Sequence, residues 1–145
     1  MPVGYGFPKA AQSGYARVTP NMCRLIDTAS SSTETVLTRD VVALVTGPTG
    51  CKGLIIQIMA GAVSANSIAD RFSVVYVYSD SEGTTTIAEC WARGHEEVAL
   101  ASKVLCQVRQ EVHVKTDSSG RVWLKLVDDA GNAGSGAYLI TGYYD

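Results

Sequence analysis

At 145 residues and a net charge of −2, the chain suffices for one domain that buries about two-thirds of its unfolded surface. Its Lys and Arg residues are scattered singly, which argues against phosphate neutralisation of a nucleic acid, and no apolar run reaches the roughly 18–20 residues of a bilayer span. Charged residues make up only 18% of the chain, against about 25% in an average soluble domain, so the exterior is either covered by another subunit or coated in Ser, Thr and Gly.

The first twenty residues are rich in Gly, Pro and aromatics and have no period, so residues 1–20 read as an extended arm ahead of a domain spanning 21–145. Tyr5, Phe7, Pro8 and Tyr15 are spaced along this arm by small residues. The N-terminal residues lack the basic start and apolar stretch of a signal peptide, which predicts synthesis in a cytoplasm and reduced thiols. A rhythm of short β segments follows, at 22–27, 34–39, 41–46, 54–60, 72–79, 84–92, 104–115, 121–127 and 137–143. Residues 62–71 and 96–103 could form a helical turn or two, and neither has an apolar stripe.

Residues 104–115 alternate most clearly. Val104, Cys106, Val108, Val112 and Val114 share one face, and Gln107, Arg109, Glu111, His113 and Lys115 the other. Together with Val122, Leu124 and Leu126, the first set is predicted to be buried. Gln110, in phase with it, should mark a β-bulge or have its amide hydrogen-bonded. Asp80-Ser81-Glu82-Gly83 and Asp117-Ser118-Ser119-Gly120 are turn tetrads between β-rich runs, and both read as hairpins. A longer loop, 128–136, joins the last two strands. About eight strands so joined predict an all-β fold, an antiparallel jelly-roll-like β-sandwich with less than about a tenth of its residues in helix.

Chemistry is sparse. Gly47-Pro48-Thr49-Gly50-Cys51-Lys52-Gly53 approaches a phosphate loop, but Cys51 replaces the Gly before Lys, Gly53 replaces the hydroxyl residue, and a strand follows where a helix is required. A Gly/Pro turn is expected. His95 beside Glu96 and Glu97 lacks a second histidine at ligand spacing, His113 lying on another strand. No Ser-His-Asp signature is present, and the turn carboxylates Asp80, Glu82, Asp117, Asp128 and Asp129 read as caps of backbone amides. Cys23, Cys51, Cys90 and Cys106 include no C-x-x-C pair and read as reduced, buried small hydrophobes. No enzyme, cofactor or metal centre is therefore expected. Trp91, Trp123, Tyr76 and Tyr78 fall on strands; Trp123, on a nominally wet face, is either half-covered by a loop or part of an interface, and such a ring also suits a sugar platform.

Two terminal segments carry a resemblance. The run 120–127, followed by 137–145 with the aromatic pair Tyr143 and Tyr144, resembles the C-terminus of small all-β virion proteins of tailed bacteriophages. The Gly/Pro/aromatic arm is similar to the clasping arms of capsid cement (decoration) proteins. The resemblance implies a non-enzymatic homotrimer on the capsid surface that binds the major capsid protein and ties neighbouring subunits together, with no nucleic-acid or membrane partner. Tyr5, Phe7, Pro8, Tyr15, Trp123, Tyr143 and Tyr144 would be its interface residues. The same C-terminus would suit the receptor- or glycan-binding tip of a tail fibre or tailspike; the absence of a coiled-coil or collagen-like shaft favours the capsid.

Overall fold

A computed structural model describes residues 23–26, 34–98, 101–129 and 134–145. They form strands β1 (Cys23–Leu25), β2 (Thr35–Val36), β3 (Ala43–Thr46), β4 (Gly53–Ala65), β5 (Ala69–Tyr78), β6 (Thr86–Glu96), β7 (Ala101–Lys115), β8 (Arg121–Asp128) and β9 (Gly134–Tyr144), with no helix among the described residues. The expected arm, residues 1–20, lies outside them.

One sheet has the order β1-β9-β4-β7, with β2 pairing the start of β9 on the same edge as β1; the other has the order β3-β8-β5-β6. Every strand pair is antiparallel, so the fold is an antiparallel β-sandwich. The pairing is nested: β5 pairs with β6, β4 with β7, β3 with β8 and β2 with β9. Successive pairs alternate between the two sheets.

The nine β segments read from the sequence all fall on strands, and the described residues of the runs at 62–71 and 96–103 lengthen β4 to β7 and form no helical turn. Asn66, at φ 60°, takes the left-handed turn between β4 and β5. Asp80–Gly83 closes a true hairpin, β5 to β6. Asp117–Gly120 does not: β7 pairs with β4 while β8 pairs with β3 and β5, so this turn is a corner between the sheets. The backbone contacts are those of a tight turn in both cases, Gly83 N–H to Asp80 O at 3.3 Å and Gly120 N–H to Asp117 O at 3.0 Å. Only the partners of the flanking strands separate hairpin from corner.

The inward face of β4 (Leu54, Ile56, Ile58, Ala60, Ala62) lies over β5 and β6 and forms one core cluster with Val75 and Val77 of β5, Cys90 and Ala92 of β6 and Val122, Leu124 and Leu126 of β8. At Gly136 the sheets come so close that an added Cβ would lie 2.9 Å from Val75 Cγ2. Along β7, Val112 and Val114 are buried, Cys106 and Val108 are half-buried against the core, and Arg109 and Glu111 face solvent, as the alternation predicts. Val104 is the exception, 64% exposed. The register runs from Ala62↔Cys106 to Val63↔Val104 and so skips Leu105, a bulge that turns Val104 to the outer face. Leu105 instead meets Gly94 of β6, where an added Cβ would lie 2.8 Å from the Leu105 Cβ. Gln110 remains in regular register opposite Ile58 and is exposed, although it lies in the inward phase of the edge strand β7. The expected bulge therefore sits at Leu105.

One end of the sandwich is closed by charge. Arg71 and Glu96, on inward positions of β5 and β6, are both buried, with Arg71 Nε 3.2 Å from Glu96 Oε2. Arg71 also reaches Asp129 Oδ2 at 3.3 Å and donates to the Ser67 carbonyl at 3.0 Å, while Ala65 N–H donates to Glu96 Oε2 at 3.0 Å. A buried arginine needs such partners. Here they tie together the ends of three strands.

Candidate binding surfaces

Tyr5, Phe7, Pro8 and Tyr15 lie outside the described residues. Tyr143, opposite Leu54, points inward and packs on the core, whereas Tyr144 is outward, its hydroxyl 2.6 Å from His113 Nδ1. Trp123 is half-buried on the outer face of the four-stranded sheet, with the Arg121 guanidinium 5.4 Å from its ring centre. These three residues thus belong to three different surroundings. What the fold brings together instead are two outward sheet faces.

The five-stranded sheet is uncharged along its two central strands. Register pairs Ile55 with Gly142, Gln57 with Leu139, Met59 with Ala137 and Gly61 with Ser135, and side chains opposite one another share a face. Thr141 is bulged out of this ladder, its hydroxyl donating to the Ile55 carbonyl at 3.3 Å, which lets β9 keep Tyr143 inward and Gly142 outward. On the flanks Leu25, Val36 and Val104 are 81%, 78% and 64% exposed. Charge enters from both borders: β7 carries Arg109, Glu111 and His113, with His113 Nε2 3.1 Å from Glu111, and Glu34 precedes β2 on the opposite edge, so that its ion pair with Arg109 bridges β4 and β9. Ile55 and Ala137 at the centre of this face are each only 2% exposed, so the apolar surface open to a partner lies mainly at Leu25, Val36 and Val104, within a polar border of the kind found at protein interfaces.

The four-stranded sheet is aromatic on its outer side. Val75 and Val77 face the core, so the alternate residues Phe72, Tyr76 and Tyr78 face out, and β6 adds Trp91 opposite Val74. The rings are in contact: Phe72 and Trp91 centroids are 5.5 Å apart, Tyr76 and Trp91 6.2 Å, and Tyr76 and Tyr78 5.9 Å. Trp91 Nε1 donates to Glu89 at 2.9 Å and its ring carries the Arg93 guanidinium at 4.5 Å. Beneath this layer Val74 is fully buried although it points away from the core, which accounts for the unbroken apolar run of β5. A hollow of about 520 Å³ opens between Asp70, Phe72, Trp91, Arg93 and Gly94. The phase of Phe72, Tyr76 and Tyr78 against Val75 and Val77 was the sequence signal for this cluster; the cross-strand position of Trp91 had none.

The other chemistry-bearing residues are spread out. His95 Nδ1 lies 2.7 Å from Asp70 Oδ1, on a different strand from His113, and no group of three or more His, Cys, Asp or Glu converges among the described residues. The Gly47–Gly53 segment is a turn between β3 and β4, with Gly50 at φ 77° and Cys51 N–H bonded to Pro48 O at 3.1 Å. Cys51 and Cys90 are buried, Cys106 is half-buried and Cys23, contrary to the expectation of burial, is exposed on an edge strand. Burial raises the Cys90 thiol above its ordinary pKa, which keeps it protonated and a poor nucleophile. Asp80 and Asp117 cap turn amides. Thr84 and Thr85 N–H donate to Asp80, whose carboxyl these backbone bonds, Thr84 first, hold below the usual range. Asp117 is held low chiefly by its bond with the Arg121 side chain, and by the Arg121 and Ser119 amides.

The sequence matches no protein-family model, and no curated protein is significantly similar to it.

Proposed function

We propose that this chain is a non-enzymatic virion structural protein, a capsid cement that adheres to an assembled shell of major capsid protein and stabilises it across subunit seams. The nested strand pairing is read as a jelly roll, with β1 and β2 together filling the first strand position. The observation that carries the proposal is the outer face of the five-stranded sheet: the outward residues of β4 and β9 include no charge, and the charged residues come from its borders, Arg109, Glu111 and His113 on β7 and Glu34 ahead of β2. Such a face adheres by buried area, at roughly 25 cal/mol per Å² of apolar surface before the costs of association. Homotrimerisation multiplies weak contacts through effective concentration, and binding only to the assembled shell stabilises it by mass action. Residues 1–20 precede β1 in the chain, and β1 lies on the edge of this same sheet, so the proposal assigns arm and face to one partner. The host cytoplasm is the proposed site of synthesis and the capsid surface the final location.

The test is thermal rupture of purified shells with and without added protein. Shells should survive to higher temperature with the wild-type chain, and Met59→Lys, a charge placed in the middle of the uncharged face, should abolish the gain while leaving the unfolding temperature of the free protein nearly unchanged. Equal protection by Met59→Lys would overturn the assignment of this face.

A further inference from the structure

We propose that the hollow on the outer face of the four-stranded sheet, between Phe72, Trp91 and Arg93, binds an acidic carbohydrate, a sugar ring bearing a carboxylate. This goes beyond shell adhesion and uses the opposite face of the sandwich. Three features select that ligand class. The first is a rigid aromatic wall: Trp91 is fixed at its edge by the 2.9 Å bond to Glu89, flanked by Phe72 and Tyr76 and covered on one face by Arg93, so little order is lost when a pyranose packs against the Phe72–Trp91 edge beside that guanidinium. The second is charge. Arg93 is exposed, has no carboxylate partner among the described residues and is poised over the Trp91 ring. A planar guanidinium in that position matches a carboxylate through two parallel hydrogen bonds. The third is polar reach at the far wall, where Asp70, with its side chain 94% exposed, can accept from sugar hydroxyls while His95 holds it at 2.7 Å. Gly94 borders the hollow with its backbone, its Cβ position facing Leu105 on the inner side, and the volume of about 520 Å³ admits one or two sugar rings. An acidic peptide would find the same cation, but the Asp70 carboxylate at the rim disfavours a run of negative charges and suits a compact ring bearing hydroxyls and a single carboxylate better.

The experiment is titration of the full chain, followed by saturation-transfer NMR and tryptophan fluorescence, with the methyl α-glycoside of N-acetylneuraminic acid and methyl β-glucuronide, against methyl β-glucoside as the neutral control. At least one acidic sugar should bind and the neutral sugar should not. Arg93→Gln should weaken that binding by about tenfold or more, the range expected for a lost charged hydrogen-bond pair. Lys125→Gln, which removes a cation of the same sheet face outside the hollow, should leave it unchanged. Shell protection by Arg93→Gln should equal that of the wild type, so failure of this proposal is separable from failure of the cement reading. Absence of binding by both acidic sugars, equal binding of the neutral sugar, an unchanged Arg93→Gln titration, or binding of a poly-glutamate peptide in preference to the sugars would each overturn it.

Discussion

At the scale of single residues, the closest constraints are where a missing side chain makes room. Gly94 is required because Leu105, driven inward by the bulge in β7, occupies the space of its Cβ. Gly94→Ala should therefore cost about 1–3 kcal/mol by overpacking, and Gly94→Ala combined with Leu105→Ala should cost less than the sum of the two single changes. Additive losses in chemical denaturation would show that the two residues do not compete for space. The turn glycines give a second contrast. Gly50 and Gly120 both have φ near +75°, but an added Cβ at Gly50 meets nothing within 4 Å whereas at Gly120 it lies 3.1 Å from Cys51 Sγ. Gly50→Ala should cost only the backbone strain, about 1–2 kcal/mol, and Gly120→Ala distinctly more. Neither Gly94 nor Gly120 announces its neighbour in the sequence, because each faces a residue from another strand or turn. Gly120 was legible as a turn residue; its contact with Cys51 was not.

At the scale of elements, alternation was a reliable guide and its interruptions were not. The wet residues Arg109 and Glu111 and the buried pair Val112 and Val114 follow the period of two. Polarity marked Gln110 as the anomaly, while the real irregularity fell at Leu105, an apolar residue that fits either face equally well and so leaves no trace in the pattern. The two turn tetrads show the same limit. Both have an Asp at the first position and a Gly with positive φ at the last, yet one joins paired strands and the other joins two sheets, a difference set by long-range pairing. Their carboxylates predict how the domain responds to acid. Asp80 and Asp117 are held below their ordinary range in the folded chain, so they contribute stability above the unfolded-state pKa of about 3.9, and this is lost as pH falls through the folded values. The melting temperature should be nearly flat above about pH 5 and fall below it. Asp117→Asn should lower the neutral-pH value and flatten the acid slope, measured by circular dichroism across pH 2–7. An unchanged slope in that variant would place the acid response elsewhere.

At the scale of the molecule, the composition carried one message, scarcity of charge, and the fold turns it into two outward faces of different chemistry. That the chain would be a sandwich was legible from the number of short strands and the absence of helical periodicity. The nested order was not, since it depends on which strand finds which partner, and the outer aromatic layer depends on β6 lying beside β5. The arm offers the decisive test of how the uncharged face is used. The described pairing begins at Cys23, and the described core residues from Leu37 to Ala137 all follow it, so deleting residues 1–14 leaves every described strand pairing and core residue in the chain. The truncated chain should unfold at a temperature close to that of the full chain. If Tyr5, Phe7 and Pro8 clasp a neighbour, each aromatic ring contributing roughly 150–250 Å² of buried surface, occupancy on shells should fall steeply, and mass photometry reads whether the proposed trimer survives the deletion. Retention of trimer with loss of shell binding would assign the arm to the shell and the sheet faces to self-association; loss of both would make the arm the trimer clasp. Full decoration by the truncated chain would remove the arm from the mechanism and leave adhesion to the five-stranded face alone.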